Sequence, residues 1–158
     1  MATEELIARL LDAPAGTTSN SVIDALHTLL DDSTIETDAP PRTVADAAAL
    51  TGLTTYTLRY YESAGLVRPA RNASGHREYS AFELRRLIFL TRMRAAGMTM
   101  RDLKRYITLV EQGPGTESER RAIMLAQRDR IKRQQRELSL ALEATEYKIR
   151  TYGGHPDA

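Results

Sequence analysis

Thr54-Thr55-Tyr56-Thr57-Leu58-Arg59-Tyr60-Tyr61-Glu62 is the stretch on which the fold turns. Just upstream, Val44–Leu50 reads as a short helix closed by Thr51-Gly52-Leu53. The quoted stretch then opens a second short helix that runs to Gly65. Helix, tight turn, helix is the pattern of a helix-turn-helix, whose second helix enters the major groove of DNA. A purely structural helical hairpin has the same spacing, so the pattern alone leaves both open. Ala45, Ala48, Leu53 and Leu58 are placed to pack the two helices together.

Downstream the character changes. Leu66-Val67-Arg68-Pro69 looks extended, and Arg71–Tyr79 follows with Ser74-Gly75 as a turn signal. This predicts a small two-stranded wing, which must pack on neighbouring helices because an isolated hairpin is barely stable. Ser80 with Glu83, and Thr99 with Asp102, have capping-box spacing and open two further helices. Leu84, Leu87, Ile88, Leu90 and Met93 give the first a broad apolar face; Leu103, Tyr106, Ile107 and Val110 serve the second. Gly113-Pro114-Gly115 is a break.

Charge divides the chain. Residues 1–41 hold one basic and eight acidic residues, −7. Residues 42–105 hold twelve basic and five acidic, +7; residues 106–158 hold nine and eight, +1. The whole chain is therefore only +1, but its middle suits a polyanion. The alternative is that the two opposed segments simply neutralise each other. Absence of cysteine excludes disulfides and thiolate metal or redox sites. No run of 18 apolar residues predicts a membrane span, and the start lacks a basic region before its apolar stretch, so a cytoplasmic protein is expected.

The acidic segment 1–41 predicts two short helices. Leu6, Ile7, Leu10 and Leu11 line one; Val22, Ile23, Leu26, Leu29 and Leu30 line another, opened by Ser21 with Asp24. Helices this short need a partner surface, in this chain or another. Residues 38–41 read as a linker. At the other end, 117–152 is free of Gly and Pro. Met124, Ile131, Leu138, Thr145 and Tyr152 recur every seven residues, with Arg128, Gln135, Leu142 and Ile149 on the adjoining seam. A seam this narrow predicts a coiled coil with a second helix. Residues 153–158 read as a flexible tail.

The quoted stretch, with Gly65-Leu66-Val67 and Pro69, the wing Ser74-Gly75-His76-Arg77-Glu78-Tyr79-Ser80, and Arg94-Ala95-Ala96-Gly97-Met98, resembles the MerR family of bacterial transcription regulators. The match spans about residues 42–110, with 117–152 where that family keeps its dimerisation helix. The resemblance implies a mainly α fold: a winged helix-turn-helix over 42–112 and an antiparallel coiled-coil helix over 113–152. It also implies a homodimer on an inverted repeat in promoter DNA, with RNA polymerase as a further partner and DNA distortion as the switch.

The residues expected at DNA are Thr43, Thr54, Thr55, Tyr56 and Thr57 at the start of the helix-turn-helix and its second helix, then Arg59, Tyr60 and Tyr61. Arg71, His76, Arg77 and Tyr79 follow in the wing, and Arg94 beyond it. In the family a basic residue commonly stands where this chain has Tyr56, which excludes a bidentate guanine contact there and leaves contact with a thymine methyl. Tyr60 is expected to be more buried than Tyr61. Tyr79 is expected to pack the wing or to reach a phosphate. Arg85, Arg86, Arg101 and Arg105 read as a solvated helix face. Dimerisation is assigned to Met124, Ile131, Gln135, Leu138, Leu142, Thr145, Ile149 and Tyr152.

Neither a catalytic nor a metal site is expected, and no cofactor. His27, His76 and His155 lie in unrelated segments, and no phosphate loop or nucleophile motif occurs. The chain ends six residues after the long helix, so ligand sensing is expected only at the joint 113–119 or in the acidic extension. Against the regulator reading stands an adaptor, in which the extension and long helix bind another protein and DNA binding is incidental. The extension either folds over the basic segment to tune affinity or packs on a partner subunit.

Overall fold

Caps and breakers set the element boundaries. The computed structural model describes residues 2–14, 16, 18–155 and 157. In chain order the elements are α1 (Thr3–Leu11), α2 (Asn20–Leu30), a 3-10 turn (Asp32–Thr34), α3 (Val44–Thr51) and α4 (Thr55–Ser63). Then come the hairpin β1 (Ala70–Arg71) and β2 (Arg77–Glu78), α5 (Ala81–Ala95), α6 (Met100–Gln112) and α7 (Glu117–Thr151). The protein is thus mainly helical, with a two-stranded wing and a long C-terminal helix.

The Thr43 hydroxyl accepts from the Asp46 amide and the Thr54 hydroxyl from the Thr57 amide, so each helix of the pair α3–α4 has its own cap. Between them Gly52 takes φ 72°, the left-handed conformation that closes α3 at little cost only for glycine. Ser80 and Glu83 form the reciprocal box at the start of α5, and the Thr99 hydroxyl accepts from Asp102 at the start of α6. One expected cap is not used. The amides of Val22 and Ile23 both bond the Ser19 carbonyl, so α2 begins at Asn20 rather than behind a Ser21–Asp24 box.

Helix α5 is the hub. It packs on α1, α2, α3 and α6, and its Leu84, Leu87, Ile88 and Leu90 are buried. Ala47, not Ala45, is the alanine sealed between α3 and its neighbours, because Ala45 points to solvent. Leu58, Leu66 and Val67 complete that layer.

The acidic extension belongs to the same core. Leu6, Ile7, Leu10, Ala25 and Leu29 are buried, and α1 packs on α2, α3 and α5. Its fastening is Arg85, which is 3% exposed rather than on a solvated face. Arg85 Nε donates to Thr3 Oγ1 at 2.8 Å, Nη1 to the Thr28 carbonyl at 2.9 Å and to Thr34 Oγ1 at 2.7 Å, and Nη2 to the Thr34 carbonyl at 3.1 Å. Glu36 stands 3.4 Å from Nη2 and also accepts from the Thr3 amide and hydroxyl. Backbone carbonyls left over at the end of α2 thus find donors, as buried polar groups must. Glu4 pairs with Arg42 at the other edge.

Helix α7 has 35 residues, about 52 Å at the helical rise. Its first turns lie on α6 through Ile123 and Gln127. From residue 132 on it is mostly exposed, with Gln134 still beside Gly97. Leu138, Leu142 and Tyr152 are exposed, while Met124 and Ile131 are half-buried where the helix departs. Gln135 and Thr145 are exposed on the same stretch and Ile149 is half-buried. The expected tail falls partly on Pro156 and Ala158, which lie outside the described residues.

Candidate nucleic-acid interface

Helix α4 presents its first turn outward. Tyr56 is 78% exposed, and Thr54 and Thr55 beside it are exposed too. Thr57 is half-buried, its hydroxyl 2.9 Å from that of Thr54. One turn on, Arg59 is exposed and forms no ion pair among the described residues. The opposite face carries Leu58 and Tyr61 into the core.

The two adjacent tyrosines separate in the reverse of the expected sense. Tyr61 is 6% exposed and Tyr60 46% exposed. Tyr61 follows Leu58 by three residues, which puts the two on one helix face. Burial pushes the Tyr61 phenol up, against the lowering influence of Arg94 nearby. Tyr60 therefore remains available at the surface, and Tyr61 is a core residue.

The wing is tied to this helix by one acid. Glu62 pairs with Arg77 and lies 3.7 Å from Arg71. Arg71 also donates to the Gly75 carbonyl at 2.9 Å, and the Asn72 side chain accepts from the Ser74 and His76 amides. The turn 72–76 is thereby closed on itself, with His76 exposed at its tip. Glu62 escaped the list of site residues; its signal was a lone acid in the basic run between Arg59 and Arg77.

Tyr79 takes the packing role. It is fully buried, and its backbone exchanges two 2.8 Å hydrogen bonds with Arg42, adding a third rung beside the hairpin. Its hydroxyl is sealed without a partner, and burial followed by the Glu62 charge pushes its phenol up. A phenol in that position offers no surface to a phosphate, so Tyr79 stiffens the wing. Thr43 remains exposed, with its hydroxyl occupied as a cap.

Arg94 is exposed at the end of α5 and donates to the Met98 carbonyl at 2.6 Å. The fold brings it beside Arg130, Arg133 and Arg136 of α7, around an open groove of about 680 Å³. The three α7 arginines are spaced at helical intervals, but their charge is masked in the near-neutral total of residues 106–158. Arg101 and Arg105 are exposed as expected; Arg86 instead pairs with Glu111 and stacks over Phe82 at 4.5 Å.

The extension does not cover this surface: α1 and α2 pack on α3 and α5, and Tyr56 stays open. Among the described residues no three His, Asp or Glu side chains converge as metal ligands, and no helix is long and apolar enough to cross a membrane.

The segments that carry this surface match known proteins. Residues 42–109 match the family model described as MerR HTH family regulatory protein, and residues 84–144 match that described as MerR, DNA binding. The transcriptional regulator HmrR of Rhizobium leguminosarum bv. viciae is 30% identical over 112 residues, 71% of this chain and 87% of the relative. AdhR of Bacillus subtilis is 38% identical over 89 residues, 56% and 64% of the two chains. Among solved structures, a MerR family regulator from Listeria monocytogenes superposes with a TM-score of 0.68 at 32% identity, covering 72% of this chain and 87% of that one. HiNmlR, a MerR family regulator lacking the sensor domain and bound to promoter DNA, gives 0.68 and 32%, with 72% and 90% covered. With a short helix whose first turn is exposed, braced by a wing, the chain belongs to the MerR family of DNA-binding transcription regulators.

Proposed function

We propose that the protein binds an inverted repeat in promoter DNA as a homodimer and controls transcription by distorting that DNA. The observation that carries this is the first turn of α4. Thr54, Thr55, Tyr56 and Arg59 are all exposed, and among the described residues neither the Tyr56 side chain nor the Arg59 guanidinium has a hydrogen-bond or ion-pair partner. In this reading Thr54, Thr55, Tyr56 and Thr57 approach base edges, and Arg59, with Tyr60, contacts the phosphate backbone. Arg71, His76 and Arg77 in the wing grip the flank, Arg94 adds a phosphate contact, and RNA polymerase meets the complex at the promoter. The relative HiNmlR, solved on promoter DNA, supports the same use of the shared fold.

Two copies are joined by α7. Leu138 and Leu142, 69% and 57% exposed, face solvent on a helix held clear of its own core. An antiparallel pairing of α7 over Met124, Ile131, Gln135, Leu138, Leu142, Thr145, Ile149 and Tyr152 covers them and sets two α4 helices at a fixed spacing. Three units follow: the extension 1–41, the DNA-binding module 42–112 and the dimer helix 113–152. An adaptor reading finds less support, because the extension spends its apolar residues inside the chain.

Footprinting on the DNA beside its own gene tests the proposal. A protected palindrome is expected, lost in Arg59→Glu. Absence of protection at low salt across that DNA would reject it.

A further inference from the structure

We infer that the protein carries a small-molecule site between the acidic extension and the DNA-binding module, suited to a monoanionic ligand with a flat apolar body. The site is a cavity of about 350 Å³ whose walls come from α2, α5, α6 and the first turn of α7. That volume lies within the range of pockets that hold drug-sized molecules. The family matches begin at residues 42 and 84, so the wall from α2 lies outside what they describe.

The lining states the ligand class. Phe89 and Tyr106 form a tilted aromatic pair with ring centroids 5.6 Å apart. Leu30 and Phe82, 46% and 38% exposed, stand at the mouth as large, partly exposed apolar side chains, with Arg86 over one face of the Phe82 ring. A planar apolar group fits between such walls. Three guanidinium groups line the cavity against the single carboxylate of Asp32. Arg85 is consumed by the extension, and Arg86 by Glu111 and the Phe82 ring. Arg120 differs. Its Nη2 lies 3.3 Å from Glu117, but its Nε–H is buried with no acceptor. A buried unpaired donor on a cation is costly, and an anionic acceptor entering the cavity would satisfy it. Asp32 opposes a second negative charge, hence a monoanion.

The position gives the site a consequence. Arg120 lies in the first turn of α7, on the face that also carries Ile123 and Gln127 toward α6. A ligand there bridges the extension, the module and the root of α7, whose angle sets the spacing of the two α4 helices. Only this coupling to DNA rests on the function proposed above; binding itself does not.

The chain has no tryptophan, so Phe82→Trp in the full-length protein supplies a single tryptophan, excited apart from the tyrosines, at the cavity mouth. The probes are phenylacetate and its neutral amide, which do not absorb in the tryptophan band, titrated without DNA. A saturable fluorescence change with the acid is expected, and binding of the amide weaker by roughly ten- to a hundred-fold. Arg120→Gln should weaken the acid by a similar factor. Leu30→Glu, at an exposed position that tolerates charge, should do the same should Arg120→Gln disturb folding by circular dichroism. No saturable change at millimolar acid overturns the site, as does equal binding of acid and amide, or binding that survives the substitutions. Failure of the footprint with intact probe binding would reject the regulatory reading alone.

Discussion

Replacing Arg85 by methionine isolates the device that holds the extension in place. Methionine keeps much of the volume and the apolar stem, so little of the effect comes from a cavity. What disappears is a buried cation that donates to Thr3, Thr28, Thr34 and Glu36. Losing one partner from a buried charged network costs about 3–5 kcal/mol, mostly because the remaining groups are stranded. Glu36 keeps two hydrogen bonds from Thr3, at 2.8 Å each, which places the expected loss near the lower end, about 3–4 kcal/mol. For a chain of this size that is a fall in melting temperature of roughly 6–16 °C. Urea unfolding would read the free energy, and amide exchange would locate it, with α1 and α2 losing protection before α5. DNA affinity at moderate salt should hold within about threefold, since the clamp lies away from the α4 surface. A stability loss below about 1 kcal/mol, or a collapse of DNA affinity in a protein of unchanged stability, would refute the reasoning.

Other outcomes follow from the same contacts. Arg59→Ala should flatten the dependence of log affinity on log salt by about 0.9, one phosphate contact, whereas Tyr56→Ala should change the preference at one base position and leave that slope alone; both are read by binding titrations at several salt concentrations. Glu62→Ala frees Arg71 and Arg77 from α4, and should loosen the wing by about 1–3 kcal/mol, seen as faster exchange of the Arg42 and Tyr79 amides. Burial pushes the Glu36 carboxyl up, but hydrogen bonds from Thr3 and the charge of Arg85 outweigh it and leave the group below its ordinary range. Its folded form therefore favours the charged state. The stabilisation is complete above the ordinary carboxylate pKa and is lost as pH falls through the lower folded value, so α1 should begin to release below about pH 4, and Glu36→Gln should remove that pH dependence. Leu138→Asp with Leu142→Asp should yield a folded monomer by sedimentation, with weakened promoter binding.

How far the sequence could be read depended on the range of the interaction concerned. Caps at Thr43, Thr54, Ser80 and Thr99 act across three residues, and the break at Gly113-Pro114-Gly115 acts on its own backbone; these were visible before any packing was known. The winged helix-turn-helix and the long helix were legible for the same reason, and the resemblance carried by Leu58–Glu62 and the wing extended that reading to function. Side-chain destinations were not local. Whether Tyr60 or Tyr61 turns inward depends on where the body lies relative to α4, and it lies on the Leu58 side, which takes Tyr61.

Arg85 shows the gap most clearly. In the sequence it stands among Arg86, Arg92 and Arg94 and reads as one more surface charge. Its partners Thr3, Thr28, Thr34 and Glu36 are 49 to 82 residues away, and no periodicity relates them to it. The charge split of −7 against +7 has no direction, and it left open an extension folded over the basic segment. The apolar stripes of α1 and α2 decided otherwise, by packing on α3 and α5 and leaving Tyr56 in the open. Local chemistry was enough to write the list of elements; which arginines stay at the surface and which hold the molecule together was settled only when distant segments met in one core.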